Sequence, residues 1–137
     1  MIGPTDVETA QKSWRWPSFT PKEMACKHCN TVKVDETFMD ELQNLRDQFG
    51  AGLIVTSGYR CPDHNASVSS TGRNGPHTTG RAVDLGVMGG VAMDVVRIAL
   101  DLDFTGLGVN QKGSGRFIHL DTLENADGCP RQWMWSY

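Results

Sequence analysis

His77, Asp84, His119 and Asp121 are the residues of this chain whose types and spacing promise chemistry. They lie in Gly75-Pro76-His77-Thr78-Thr79-Gly80-Arg81-Ala82-Val83-Asp84 and in Phe117-Ile118-His119-Leu120-Asp121. Two imidazoles and a carboxylate form the three-ligand set of a catalytic zinc ion, which leaves its fourth position to water. The ion lowers the pKa of that water toward neutrality and so makes a nucleophile for an amide. A lone loop histidine, a turn carboxylate or a core histidine would each have an ordinary structural reading. Two carboxylates set beside apolar strand residues resist that reading. Asp84 lies between Val83 and Leu85, and Asp121 follows Leu120, so each needs a charge partner if buried. A zinc ion answers both.

The elements around these residues must bring them together. Arg81 to Val87 alternates as a strand with Ala82 and Asp84 on one face. Phe104–Val109 and Arg116–Asp121 read as two strands joined by a linker of hairpin composition. His119 and Asp121 share a face of the second of these. Gly80 lets the chain turn back between His77 and Asp84. If the strand of His119 neighbours the strand of Asp84, all four groups converge. Asp121 would then orient a ligand, hold the metal water or accept its proton. Arg60 follows Ser57-Gly58-Tyr59 at the end of Leu53–Ser57, which reads as a buried strand. A guanidinium there suits a carboxylate held by two parallel hydrogen bonds, and equally suits a plain surface position. His64 and Asn65 either line the same cleft or close the turn.

Elsewhere the signals are helical. Thr20 as N-cap, Pro21 at the first helical position and Glu23 as partner form a capping box that opens a short helix. Asp35 caps a helix to Phe49 whose Phe38, Leu42, Leu45 and Phe49 form one apolar stripe, ended by Gly50 and Gly52. Asp63–Val68 reads as one helical turn, and Ser69–Gly75 as a loop. Val91–Leu102 reads as a helix with Val91, Val95, Ile98, Ala99 and Leu102 inward. Residues 1–18 read as an irregular arm anchored by Trp14 and Trp16, and 19–137 as the body of a single domain. The aromatic tail, Arg131–Tyr137, is expected to pack on that body. The sum is an α+β fold with a small, mostly antiparallel sheet and helices packed on one side.

At 137 residues the chain can bury a core without disulfides. A net charge of -3 gives no reason to expect nucleic acid or an anionic membrane. No apolar run reaches the length of a membrane helix. Met1-Ile2-Gly3-Pro4-Thr5-Asp6 lacks the pattern of a signal peptide, so cytoplasmic synthesis is expected. Cys26, Cys29, Cys61 and Cys129 are then expected as reduced thiols. Cys26-Lys27-His28-Cys29 is the single CxxC, and a zinc there would need further ligands such as Cys61 or His28. A zinc-ribbon nucleic-acid binder built on it conflicts with the acidic charge and the missing second half.

The segments Ser57-Gly58-Tyr59-Arg60-Cys61-Pro62-Asp63-His64-Asn65, Gly75-Pro76-His77 through Asp84, and Phe117-Ile118-His119-Leu120-Asp121 resemble the zinc D-Ala-D-Ala carboxypeptidase family. That family is grouped with lysostaphin and the hedgehog signalling domain. The likeness is greatest to the branch with small phage lysis enzymes such as L-alanyl-D-glutamate endopeptidases, and runs from about Phe19 to Trp135. It implies a hedgehog-like α+β fold and one zinc ion held by His77, Asp84 and His119. It implies that Arg60, with Tyr59 and Asn65 beside it, meets the substrate, and that the substrate is a peptidoglycan peptide. Two departures stand out. Gly75 replaces the usual serine two residues before the first ligand histidine. Arg116 replaces the catalytic acid that several branches place three residues before the last, and arginine is no base at neutral pH. Asp121 is the first choice for the base and His64 the second. The expected protein is thus a monomeric zinc peptidase of bacterial cell wall, acting after release as a phage or prophage endolysin. The alternative is a catalytically inactive, zinc-stabilised wall-binding domain.

Overall fold

A computed structural model describes residues 1–137. The chain opens with strand β1 (Ile2–Thr5) and helix α1 (Val7–Gln11), the latter capped by the Asp6 side chain, which accepts from the Thr9 N–H. The expected irregular arm is therefore ordered structure. β1 pairs antiparallel with β2 (Val32–Val34), Ile2 opposite Val34 and Thr5 opposite Val32. Non-local pairing of this kind leaves no periodic signal in so short a run. Trp16 is buried and donates its indole N–H to Asp40 at 2.8 Å, so it does anchor the segment.

Helix α2 (Pro21–Met24) has the expected capping box, with Thr20 and Glu23 exchanging side-chain to main-chain hydrogen bonds. Helix α3 (Glu36–Phe49) is capped by Asp35 and ends at Gly50 in the left-handed conformation. Its buried stripe is Phe38, Met39, Leu42 and Leu45. Helix α4 (Pro62–Val68) is longer than one turn. Helix α5 (Gly89–Leu100) buries Ala92, Val95 and Ala99. Val91, expected inward, is exposed, and Ala92 beside it takes the inward place, in line with Val95 and Ala99.

The main sheet has five strands in the order β3 (Val55–Ser57), β4 (Ala82–Leu85), β6 (Phe117–Asp121), β5 (Gly106–Asn110) and β7 (Trp133–Ser136). All pairs are antiparallel except β5 with β7. The aromatic tail is thus a fifth strand, joined in parallel at the sheet edge. β3 forms the opposite edge and is only half-buried, with Ile54 just before it exposed, which corrects the expected buried strand.

Alternation along the strands divides the sheet into two faces. Val83, Leu85, Leu107, Ile118 and Leu120 join the apolar side chains of α3 and α5 in one core cluster. Ala82, Asp84, His119 and Asp121 point the other way, and the register sets Asp84 opposite His119 and Ala82 opposite Asp121. Helices α3 and α5 lie behind the sheet, and the polar groups lie in front of it with α4 beside the cleft.

Candidate metal centre

His77 is carried by a 3-10 turn (Pro76–Thr78), and the chain reverses at Gly80, whose φ is +80°. A Cβ at Gly80 would sit 2.9 Å from the Lys33 carbonyl oxygen, so the turn needs glycine for both space and conformation. The reversal brings His77 Nε2 to 3.1 Å from Asp84 Oδ1. On the neighbouring strand His119 Nδ1 lies 3.0 Å from the same oxygen and 3.2 Å from His77 Nε2. The three side chains are buried.

The outer nitrogens of both rings decide what the inner ones carry. His77 Nδ1 is 2.7 Å from the Gly58 carbonyl oxygen, which can only accept, so the proton of the neutral ring sits on Nδ1. His119 Nε2 is 2.8 Å from Asp121 Oδ2, so its proton sits on Nε2. Two imidazole lone pairs and a carboxylate oxygen therefore meet at one point with no hydrogen between them. Three acceptors at such distances repel one another unless a cation lies between them, and one carboxylate with two imidazoles is a zinc donor set.

The electrostatics agree. Burial holds His77 below its ordinary pKa against the pull of Asp84. Burial alone would raise the Asp84 carboxyl, yet the two imidazoles beside it, His119 and His77, hold it far below the carboxylate range whenever either takes up a proton. Burial also opposes charge on His119, but Asp121 and Asp84 outweigh it and raise its pKa. A proton and a metal ion thus compete for the same point.

Asp121 is placed differently from the sequence expectation of a base beside the metal water. It has no exposed surface. Its Oδ2 accepts from His119 Nε2, both oxygens accept from Arg131 at 2.8 and 2.9 Å, and Oδ1 accepts from the Leu123 N–H. It stands behind the His119 ring and does not line the cleft. Burial would raise its pKa, but His119 and Arg131 hold it at about 2. A Cβ on Gly106 would fall 2.3 Å from its Oδ1, so this strand position must be glycine to admit the carboxylate. Arg131 is a site residue that sequence spacing did not reveal. The chain returns ten residues after Asp121 to deliver it.

In front of the donors opens a cleft of about 680 Å³, walled by Arg60, Ser69, Thr71, Phe117, Trp135 and Tyr137 among others. Arg60 belongs to the cleft, with only 18% of its side chain exposed. Its guanidinium donates to Ser57 Oγ at 3.1 Å, Asn65 Oδ1 at 3.2 Å and Asp84 Oδ2 at 3.4 Å. Each of those bonds uses a different nitrogen, so one N–H on each terminal nitrogen remains. Asn65 is buried behind Arg60, donating to Thr71 Oγ1 and the Gly72 carbonyl. Tyr59 is buried beneath Lys33, away from the cleft wall. His64 is also off the wall, its ring stacked on His28 with centroids 5.7 Å apart. A Cβ at Gly75 would lie 2.0 Å from Thr71 Oγ1. The space of the absent serine side chain is therefore taken by the Thr71 hydroxyl, which lines the cleft. Arg116 lies outside it, and Asp84 is the only carboxylate on its wall. Trp135, 5.0 Å from the His119 ring centroid, and Tyr137, 5.0 Å from that of Phe117, form its aromatic side.

No helix is long and apolar enough to cross a membrane. No curated protein matches the chain. The profile of the family described as peptidase M15 matches residues 17–121, which span every group of the three-donor centre as well as Arg60. With more than half of its length covered, the chain belongs to the peptidase M15 family.

Proposed function

We propose that this chain is a zinc peptidase that cleaves an amide bond in the stem peptides or cross-links of bacterial peptidoglycan, in the manner of a phage or prophage endolysin. M15 peptidases are zinc-dependent and act on peptidoglycan. The observation that carries the reading is the meeting of His77 Nε2, His119 Nδ1 and Asp84 Oδ1 within 3.2 Å, each imidazole turned by a hydrogen bond on its far side.

His77, Asp84 and His119 would hold the zinc ion, which would supply Lewis-acid polarisation of a carbonyl and acidification of water. The protein's own groups then do the positioning. Arg60, anchored by Ser57, Asn65 and Asp84, turns its two remaining N–H groups to a substrate carboxylate or to the polarised carbonyl oxygen. Asn65 acts through Arg60 and does not touch substrate. Asp121 acts through His119: it fixes the ring tautomer and raises the basicity of the ligand nitrogen. Its oxygens are fully engaged, so it is a positioning residue and not a proton acceptor. His64, turned toward His28, takes no part in proton transfer. The aromatic wall of Trp135 and Tyr137 suits the apolar faces of a short peptide.

The reading is tested by digesting purified peptidoglycan with the zinc-loaded protein and identifying the released fragments by mass spectrometry. New amine and carboxylate ends at one peptide bond, absent with His77→Ala, are the expected result. A second reading, a wall-binding domain without turnover, is favoured by the lack of any cleft carboxylate other than Asp84. Saturable binding of muropeptides with no new ends would establish it instead.

A further inference from the structure

Three cysteines outside the cleft lining form a second cluster. Cys26 and Cys29 sit on the turn after α2, and Cys61 is the N-cap of α4. Their sulfurs all lie within 4.8 Å of one another, although 32 positions separate Cys29 from Cys61 in the sequence. All three are free thiols. The turn is tightly built: the Asn30 N–H bonds the Cys26 carbonyl at 2.8 Å, the Cys26 N–H bonds the Thr31 carbonyl at 2.8 Å, and Asn30 holds a φ of +62°. The Cys61 N–H donates to Cys26 Sγ at 3.3 Å, an arrangement that spreads the charge of a thiolate.

Three sulfurs at such distances cannot all be satisfied by disulfide formation, since any one bridge leaves the third out. They do match the thiolate face of a tetrahedral site. The fourth ligand is supplied by spacing. Cys61-Pro62-Asp63-His64 repeats the two-residue gap of Cys26-Lys27-His28-Cys29, with histidine in the last place. His64 occupies the first turn of α4, directly after Cys61. Its ring stacks on His28, a residue of the CxxC turn. The three sulfurs alone lie within 4.8 Å of one another, so the His64 ring would turn about its side-chain bonds to complete the set.

We propose that Cys26, Cys29, Cys61 and His64 bind a structural zinc ion, distinct from the one at the cleft. Binding replaces the three thiol protons by one Zn²⁺ and needs no oxidant. The site would fasten the α2–β2 turn to the segment that carries Arg60. That segment already touches the turn elsewhere: the Tyr59 N–H bonds the Met24 carbonyl at 2.9 Å, and a Cβ at Gly58 would lie 2.7 Å from the Met24 Cα. The bound ion therefore sets the position of the arginine that faces the substrate, while taking no part in hydrolysis itself.

Metal content separates this site from the cleft site. Protein purified under reducing conditions, desalted and analysed by plasma mass spectrometry should carry about two zinc ions per chain. His77→Ala and Cys29→Ser should each retain about one. Cys29 is exposed, so serine there disturbs no packing. X-ray absorption on His77→Ala should show zinc–sulfur scattering at about 2.3 Å, and on Cys29→Ser scattering from nitrogen and oxygen alone. His64→Ala should lose zinc to a chelator at least about tenfold faster from the sulfur site. Equal zinc in wild type and Cys29→Ser, or an intact mass showing a disulfide among the three cysteines in freshly reduced protein, would overturn the proposal. Unchanged chelator release from His64→Ala would overturn the four-ligand set. None of these readouts depends on peptidase activity, so they stand or fall apart from the hydrolase reading.

Discussion

The His77–Asp84–His119 group and the Cys26–Cys29–Cys61 group flank the same short segment, Arg60-Cys61, and are held by different means. In the first, two ligands come from adjacent sheet strands and the third is locked by the Gly58 carbonyl. Every outer polar atom has a partner, and Asp121 with Arg131 continues the network behind His119. In the second, two ligands sit on a turn and one on a helix N-terminus, and Cys29 is exposed. The sheet site is organised before an ion arrives, so an ion there adds chemistry. The cysteine site joins a turn to a helix start that meet through the Tyr59 N–H to Met24 carbonyl and Cys61 N–H to Cys26 Sγ bonds, so an ion there adds order. Loss of metal should therefore silence the first and loosen the second.

The largest effect expected is on turnover. His77→Ala should bring fragment release from peptidoglycan, followed by chromatography and mass spectrometry, down to the background of buffer. Its thermal midpoint should move far less than that of Cys29→Ser. If His77→Ala retained wild-type turnover, the contrast would be broken at its strongest point. For Cys29→Ser the midpoint, read by circular dichroism, should fall by roughly 5–15 °C. The cleft zinc should remain.

Asp121→Asn tests how far preorganisation reaches behind the metal. Zinc affinity measured by chelator competition should weaken by about 10–100-fold. Arg131 also loses its charge partner, so stability falls with it. A variant with unaltered zinc affinity would mean that the His119 tautomer is fixed by something else. Arg60→Lys keeps the charge but not the fork, and lysine cannot bridge Ser57, Asn65 and Asp84 together. A rise in KM of about tenfold, with a smaller change in kcat, is the expected signature of lost substrate anchoring.

The smallest effect concerns acid stability of the metal-free protein. Asp121 has a folded pKa of about 2, below the ordinary carboxylate value near 4. Its contribution is present above the unfolded value and is lost as pH falls through the window from about 4 to about 2. Asp121 accounts for about 2 kcal/mol of the loss there in urea titrations, Asp84 adds its own, and Asp121→Asn should shrink the step by about that amount.

Local chemistry made much of this molecule legible. Asp35 and the Phe38–Leu42–Leu45 stripe identify α3, and Thr20-Pro21-Lys22-Glu23 identifies the start of α2. The period-two alternation of Phe117–Asp121 correctly set His119 and Asp121 on one face. Contacts between distant segments were not readable. β1 finds β2 across about thirty residues, and β7 joins β5 in parallel, so neither leaves a mark in its own sequence. Arg131 reaches Asp121 only because that tail pairs at the sheet edge. The same limit hid the difference between a carboxylate beside the metal water and one behind the ligand ring. Spacing shows that Asp121 and His119 meet, but not which nitrogen is met. The two-residue gap from Cys61 to His64 is in the sequence, but the reason to weigh it lies in the fold, which sets Cys61 against Cys26 and Cys29.

A crystal grown with zinc and measured on both sides of the zinc absorption edge gives the most direct test. Anomalous density within bonding distance of His77 Nε2, Asp84 Oδ1 and His119 Nδ1, with a solvent molecule completing the coordination, is the predicted result. Density absent from that point, or a fourth protein group filling the coordination sphere, would contradict the assignment of a catalytic metal centre.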